Sequence, residues 1–207
     1  MIQPPCTLFK KHLDVLVITL MLFFAGFAIG LVSPYGQAIV ENARNRQIDV
    51  TDITGNFQMI AQNNGMIAAM GWVGWFVFPV FGINYFPPSV MIYSVGASFG
   101  AVASAVSPAN LAISLMSFGV LEALSLVFGI AGGLLFPKYV ALKLFKKPVS
   151  LSETIVDSGT LFLYAGAFVA VAAMLEAFLL NPATMLFAVV MGVLITVLSL
   201  WLIVKYR

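Results

Sequence analysis

Runs of about twenty predominantly apolar residues recur along almost the whole of this 207-residue chain. Wound as a helix, a run of that length matches the ~30 Å hydrocarbon core of a bilayer. Lipid offers no partner to backbone N–H and C=O groups, so a spanning element must satisfy them internally. The stretches between strong turn signals exceed the length of barrel strands, which leaves helices. Charged residues make up only 9% of the chain, against about 25% in soluble domains. No polar segment is long enough to build a separate soluble domain. The expectation is therefore an all-α fold: a polytopic membrane helix bundle forming one transmembrane domain over 1–207.

Turn signals divide the runs into six expected spans, at about 13–33, 59–82, 89–107, 111–136, 158–180 and 183–204. Ser33-Pro34, Asn84 to Pro88, Ser107 to Asn110 and Asn181-Pro182 mark the breaks, because proline blocks helix continuation. Lys10, Lys11, Lys138, Lys143, Lys146, Lys147, Lys205 and Arg207 then fall on one side, eight of the ten basic residues. Positive charge favours the inner face, so both termini are expected in the cytoplasm and the chain in the cell membrane as a multi-pass protein. Residues 35–57 form an outer loop whose alternating acids and bases suit a solvated helix or turn. Residues 137–157 interleave lysines with apolar residues and read as an inner amphipathic linker on the membrane surface. Its Lys138, Lys143, Lys146 and Lys147 would meet anionic membrane lipid or a protein partner.

Glu122 and Glu176 stand inside apolar runs. A charge near a bilayer centre costs at least about 2.5–3.5 kcal/mol, so each needs compensation. Counting helical rise puts Glu122 roughly 16 Å and Glu176 roughly 7 Å below the outer end of its span. That separates them into two sites. Gln58, Gln62, Asn63 and Asn64 mark the outer start of the second span and are expected to face Glu176, with Arg44 or Arg46 as an alternative. Glu122 is expected either to line a polar path or to hold helices together.

Small residues recur four apart at Gly26 and Gly30, Gly96 and Gly100, and Gly129 and Gly133, which suits close helix contact within the chain or in a homodimer. The net charge of +2 is too small to indicate nucleic acid. One cysteine, Cys6, precludes an intrachain disulfide. The one histidine, His12, reads as an interfacial residue. No metal-ligand cluster, nucleophile elbow or phosphate loop is visible, so neither an enzyme nor a cofactor or metal site is expected.

The stretch Ser117-Phe118-Gly119-Val120-Leu121-Glu122-Ala123, continuing through Gly129 to Gly133-Leu134, resembles the stage II sporulation protein M family, which carries His-Gly-x-x-Glu-Leu and a small-residue run. Ala172 to Phe178, around Glu176, and Ser94 to Gly100 resemble two further phrases of that family. Phe118 stands where the family has histidine, and Val95 where it often has asparagine. The resemblance implies a non-enzymatic membrane protein that scaffolds or anchors protein partners in membrane or envelope remodelling. The residues alone keep a small transporter or channel open, with Glu122 lining its path.

Overall fold

The computed structural model describes residues 5–45, 48–74 and 85–205. The expected break at Asn84, the end of the span expected over 59–82, Arg46, Arg207 and the side chains of Cys6 and Arg44 lie outside the described residues. The elements are helices α1 (Pro5–Lys11), α2 (Leu13–Leu31), α3 (Gly36–Asn45), α4 (Ile53–Val73), α5 (Phe86–Ala105), α6 (Pro108–Ser114), α7 (Val120–Leu144), α8 (Leu151–Leu180) and α9 (Met185–Lys205). A π turn, Leu115–Gly119, joins α6 to α7. There is no strand among the described residues.

Four helical stretches there are long and apolar enough to cross a membrane: Leu13–Leu31, Phe86–Ala105, Pro108–Leu144 and Leu151–Leu180. Met185–Trp201 is a shorter apolar helix. Helix α4 has the length, but Asn56, Gln58, Gln62, Asn63 and Asn64 lower its hydropathy. The outward sides of α2 and α9 are apolar, with Met21, Phe24, Leu186 and Leu194 among the exposed residues. Such surfaces suit lipid contact, consistent with a multi-pass membrane protein.

Two close helix contacts organise the bundle. Helices α2 and α5 meet along their glycine faces: a Cβ on Gly26 or Gly30 would run into the Tyr93 or Ala97 carbonyl, and one on Gly96 or Gly100 into the Phe23 or Phe27 carbonyl. The glycines of α7 meet α4, where a Cβ on Gly129 would lie 3.2 Å from Ala68 and one on Gly133 would lie 2.7 Å from the Gly71 and Trp72 carbonyls. All three glycine pairs are thus used inside the chain. Helix α4 packs against both α7 and α8, and α7 packs along α8. At the lower end of α4, Trp72 Nε1 donates to Ser158 Oγ at 2.8 Å, and that hydroxyl donates to the Gly132 carbonyl at 2.8 Å. Ile130, Ala131, Leu161 and Ala165 are fully buried in the core cluster between these elements.

Three boundaries differ from expectation. Helix α4 starts at Ile53, not near 59, because the Asp52 carboxylate accepts from the Gly55 N–H at 2.8 Å and caps it. Helix α7 continues through Pro137 to Leu144 instead of ending near 136. Proline loses only its own backbone bond, and Pro137 is buried, so packing holds the flanking turns in line. Helix α8 starts at Leu151, not 158, with Ser150 as its cap. The inner linker 137–157 is therefore not a separate surface helix. Its first half completes α7 and its second half begins α8. The segment 35–57, expected as an outer loop, contains α3, which docks on α5 with Gly36 against the Ala101 carbonyl.

Candidate functional site

The two glutamates come together. Leu121 and Leu175 share one buried cluster with Ala172, which brings the segments carrying Glu122 and Glu176 side by side. The Glu122 carboxyl is close enough to Glu176 for the two charges to repel. Depth counting expected two separate sites, and only Glu122 lines the cleft described below. Depth counting took the outer ends of the two spans as level, whereas the shared cluster sets Leu121 beside Ala172 and Leu175. A π turn takes an extra residue, which rotates the following helix face. Ser117 Oγ bonds the Ile113 carbonyl inside this turn, and Gly192 of α9 sits against the Ser117 backbone.

The amides also divide differently from expectation. Asn64 is buried and lines the same cleft as Glu122, which Glu176 does not. Asn63 Nδ2 donates to Asn64 Oδ1 at 3.3 Å, leaving the Asn64 NH2 free to donate to a carboxyl. Gln58 and Gln62 lie on the exposed side of α4. The expected second and fifth spans do touch, as α4 and α8, but the buried amide on α4 shares a cleft with Glu122 of α7. Phe118 packs in the apolar cluster with Leu121 and Leu175.

Glu122 lines a cleft of about 570 Å³. Helix α4 contributes Asn63, Asn64 and Ile67 to it, α5 contributes Val90, Met91, Ser94, Ser98 and Phe99, and α7 contributes Glu122 and Leu126. The cleft is mainly apolar and lies between α4 and α5, which touch little while each packs well elsewhere. Glu176 does not line it.

A second polar centre lies at the opposite end of the bundle. Asp157 of α8 is fully buried, and its Oδ2 accepts from Lys11 Nζ at 2.8 Å and lies 2.8 Å from His12 Nε2. Lys11 also reaches Glu153 at 3.1 Å, and Lys138 pairs with Asp14 at 2.7 Å. These bonds tie α1 and α2 to α7 and α8. Asp157 and the burial of His12 were missed because residues 137–157 were read as a surface linker. The available signal was the spacing: Glu153 and Asp157 are four apart, one face of a helix. Of the four linker lysines, Lys138 is engaged in its ion pair, while Lys143, Lys146 and Lys147 are exposed. Among the described residues no group of three or more His, Cys, Asp or Glu could hold a metal ion.

Burial holds the His12 imidazole below its ordinary value of 6.5, against the pull of Asp157. The hydrogen bond from Lys11 to Asp157 holds the lysine above its ordinary range. The folded chain thus keeps His12 neutral where the unfolded chain takes a proton. This contribution is intact above pH 6.5 and is lost as pH falls toward the folded value. The thermal midpoint in detergent should therefore drop as pH is lowered from 7.5 to 5. His12→Gln should flatten that slope. A slope unchanged by the substitution would refute the assignment.

No family model, curated protein or solved structure matches the chain.

Proposed function

We propose that the chain is a six-span protein of the cell membrane, with both termini cytoplasmic, that passes a small solute along a path including Glu122. The observation that carries this reading is the cleft: a carboxyl in an apolar run opens onto 570 Å³ of space beside Asn64, instead of being sealed between helices. A mid-span acid kept only as glue repays little, because interhelical polar bonds average about 0.6 kcal/mol. Glu176 would tune Glu122 through repulsion from behind. The orientation is supported by basic residues collecting at one end of the bundle, where Lys11 meets Glu153 and Lys138 meets Asp14. The path requires no covalent chemistry, so the proposed role is not enzymatic.

The test is initial-rate flux, including proton uptake, in proteoliposomes. Glu122→Gln keeps the shape and removes the charge, and should lower the rate by at least about tenfold, the equivalent of one charge-assisted hydrogen bond. Unchanged flux would sink the path.

A second reading is a scaffold of the stage II sporulation protein M type. It is favoured by the use of the resembling phrases in packing: Gly96 and Gly100 lie at one close helix contact, and Gly129 and Gly133 at another. Its docking surfaces would be α3 and the exposed lysines after Lys138. Deleting 36–45 should then abolish crosslinks to a membrane partner, and unchanged crosslinks would dismiss that surface.

A further inference from the structure

We infer that the cleft between α4 and α5 binds an amphipathic organic cation, admitted sideways from the bilayer. The inference rests on the proposed role of Glu122 as the polar element of the path, and it names the class of solute.

Size comes first. A volume of about 570 Å³ falls within the roughly 300–1,000 Å³ of small-molecule sites. The walls come next. Val90, Met91, Phe86 and Phe99 offer an apolar and aromatic lining, and aromatic faces attract cations. Charge then decides between ligands. Glu122 is the one formally charged residue lining the cleft, with Asn64 beside it and no lysine, arginine or histidine among the lining residues. An anion would meet that carboxyl directly. A small hydrated cation would exchange its water for hydrocarbon walls. A neutral apolar molecule would offer the acid no counter-charge. A cation with its charge set in an apolar body satisfies both the floor and the walls.

The entry route follows from the same lining. Ser94, Ser98 and Val90 are exposed on the α5 rim, so among the described residues the cleft reaches the side of the bundle. The Ser98 hydroxyl already donates to the Ser94 carbonyl at 3.1 Å, which leaves its oxygen as an acceptor at the rim. An amphipathic cation dissolved in the bilayer reaches such a mouth without first crossing water.

The experiment is equilibrium dialysis of the full chain in nanodiscs with tetraphenylphosphonium, corrected for empty nanodiscs. Tetraphenylborate, nearly the same shape with the opposite charge, is the control. The expected result is saturable phosphonium binding with no matching borate binding. Glu122→Gln should weaken it by at least about tenfold, and Glu122→Asp should retain it within a few-fold. Ser98→Trp, which keeps the carboxyl and fills the rim, should also remove binding while the protein remains monodisperse. Equal binding of both ions, or equal binding by wild type and Glu122→Gln, would overturn the assignment, as would absence of saturable binding. The two readings fail separately. Glu122-dependent solute flux without phosphonium binding removes the cation class and leaves the path. Phosphonium binding without Glu122-dependent flux leaves the site and removes the path.

Discussion

Gly96→Ala should lose about 3 kcal/mol or more of stability, because one methyl group forces two helix backbones apart. A Cβ at this position would fall on the Phe23 carbonyl, and the obstacle is backbone, not a side chain that can rotate away. Neighbouring contacts repeat the constraint: Gly100 faces the Phe27 carbonyl, and Gly26 and Gly30 face the carbonyls of Tyr93 and Ala97. Sliding one helix to relieve Gly96 would therefore disturb the other three. Within a membrane no hydrophobic force pushes helices together, so close van der Waals packing supplies most of their attraction. Separating the backbones forfeits that attraction along the whole contact. Gly159 and Gly166 of α8 provide the control, since nothing lies within 4 Å of a Cβ at either position. Alanine there should be neutral or stabilising by up to about 1 kcal/mol through helix propensity. Thermal unfolding in detergent, followed by circular dichroism and size-exclusion profile, measures all three. If Gly96→Ala unfolds at the same temperature as Gly159→Ala, the glycine contact between α2 and α5 is not the organising one.

Lys11→Met should destabilise the chain by about 2 kcal/mol, and adding Asp157→Asn should recover much of the loss. Breaking a fully buried ion pair costs about 3–5 kcal/mol, mainly because the remaining charge is stranded. Lys11 is 41% exposed while Asp157 is fully buried, so solvent screening reduces the figure. The methionine variant leaves the Asp157 carboxylate inside the bundle with His12 as its remaining partner at Oδ2. Asparagine in place of Asp157 removes the charge that has lost its lysine. A double-mutant cycle in unfolding free energy separates these terms. A double variant less stable than Lys11→Met alone would show that the stranded carboxylate is not the source of the loss.

The glycine faces show how far local spacing reaches. Four-residue spacing marked the correct residues for close contact, because that spacing places them on one face of a helix. It could not say that Gly26 meets Tyr93 or that Gly133 meets Trp72, since spacing describes a helix and not its neighbour. The polar residues show the limit more sharply. Glu122 and Glu176 were visible as acids in apolar runs, but their relative placement depended on how α7 and α8 pack along each other. Asn64 was visible as an amide on the expected second span, and its place in the Glu122 cleft depended on the rotation of α4 between α7 and α8. Asp157 was least legible, because its partners Lys11 and His12 lie about 145 residues away and its own segment reads as polar linker.

By itself, then, the sequence determined the helices, their apolar character and the faces along which they could approach closely. Those properties follow from hydropathy, proline placement and a helical period that each segment carries alone. Tertiary structure decided which faces meet, that Pro137 does not end its helix, and that Glu122 has Asn64, Glu176 and an open cleft around it. The reason is physical: a carboxyl's surroundings are set by the translation and rotation of several packed helices, and those relative positions are properties of the bundle, not of any one segment.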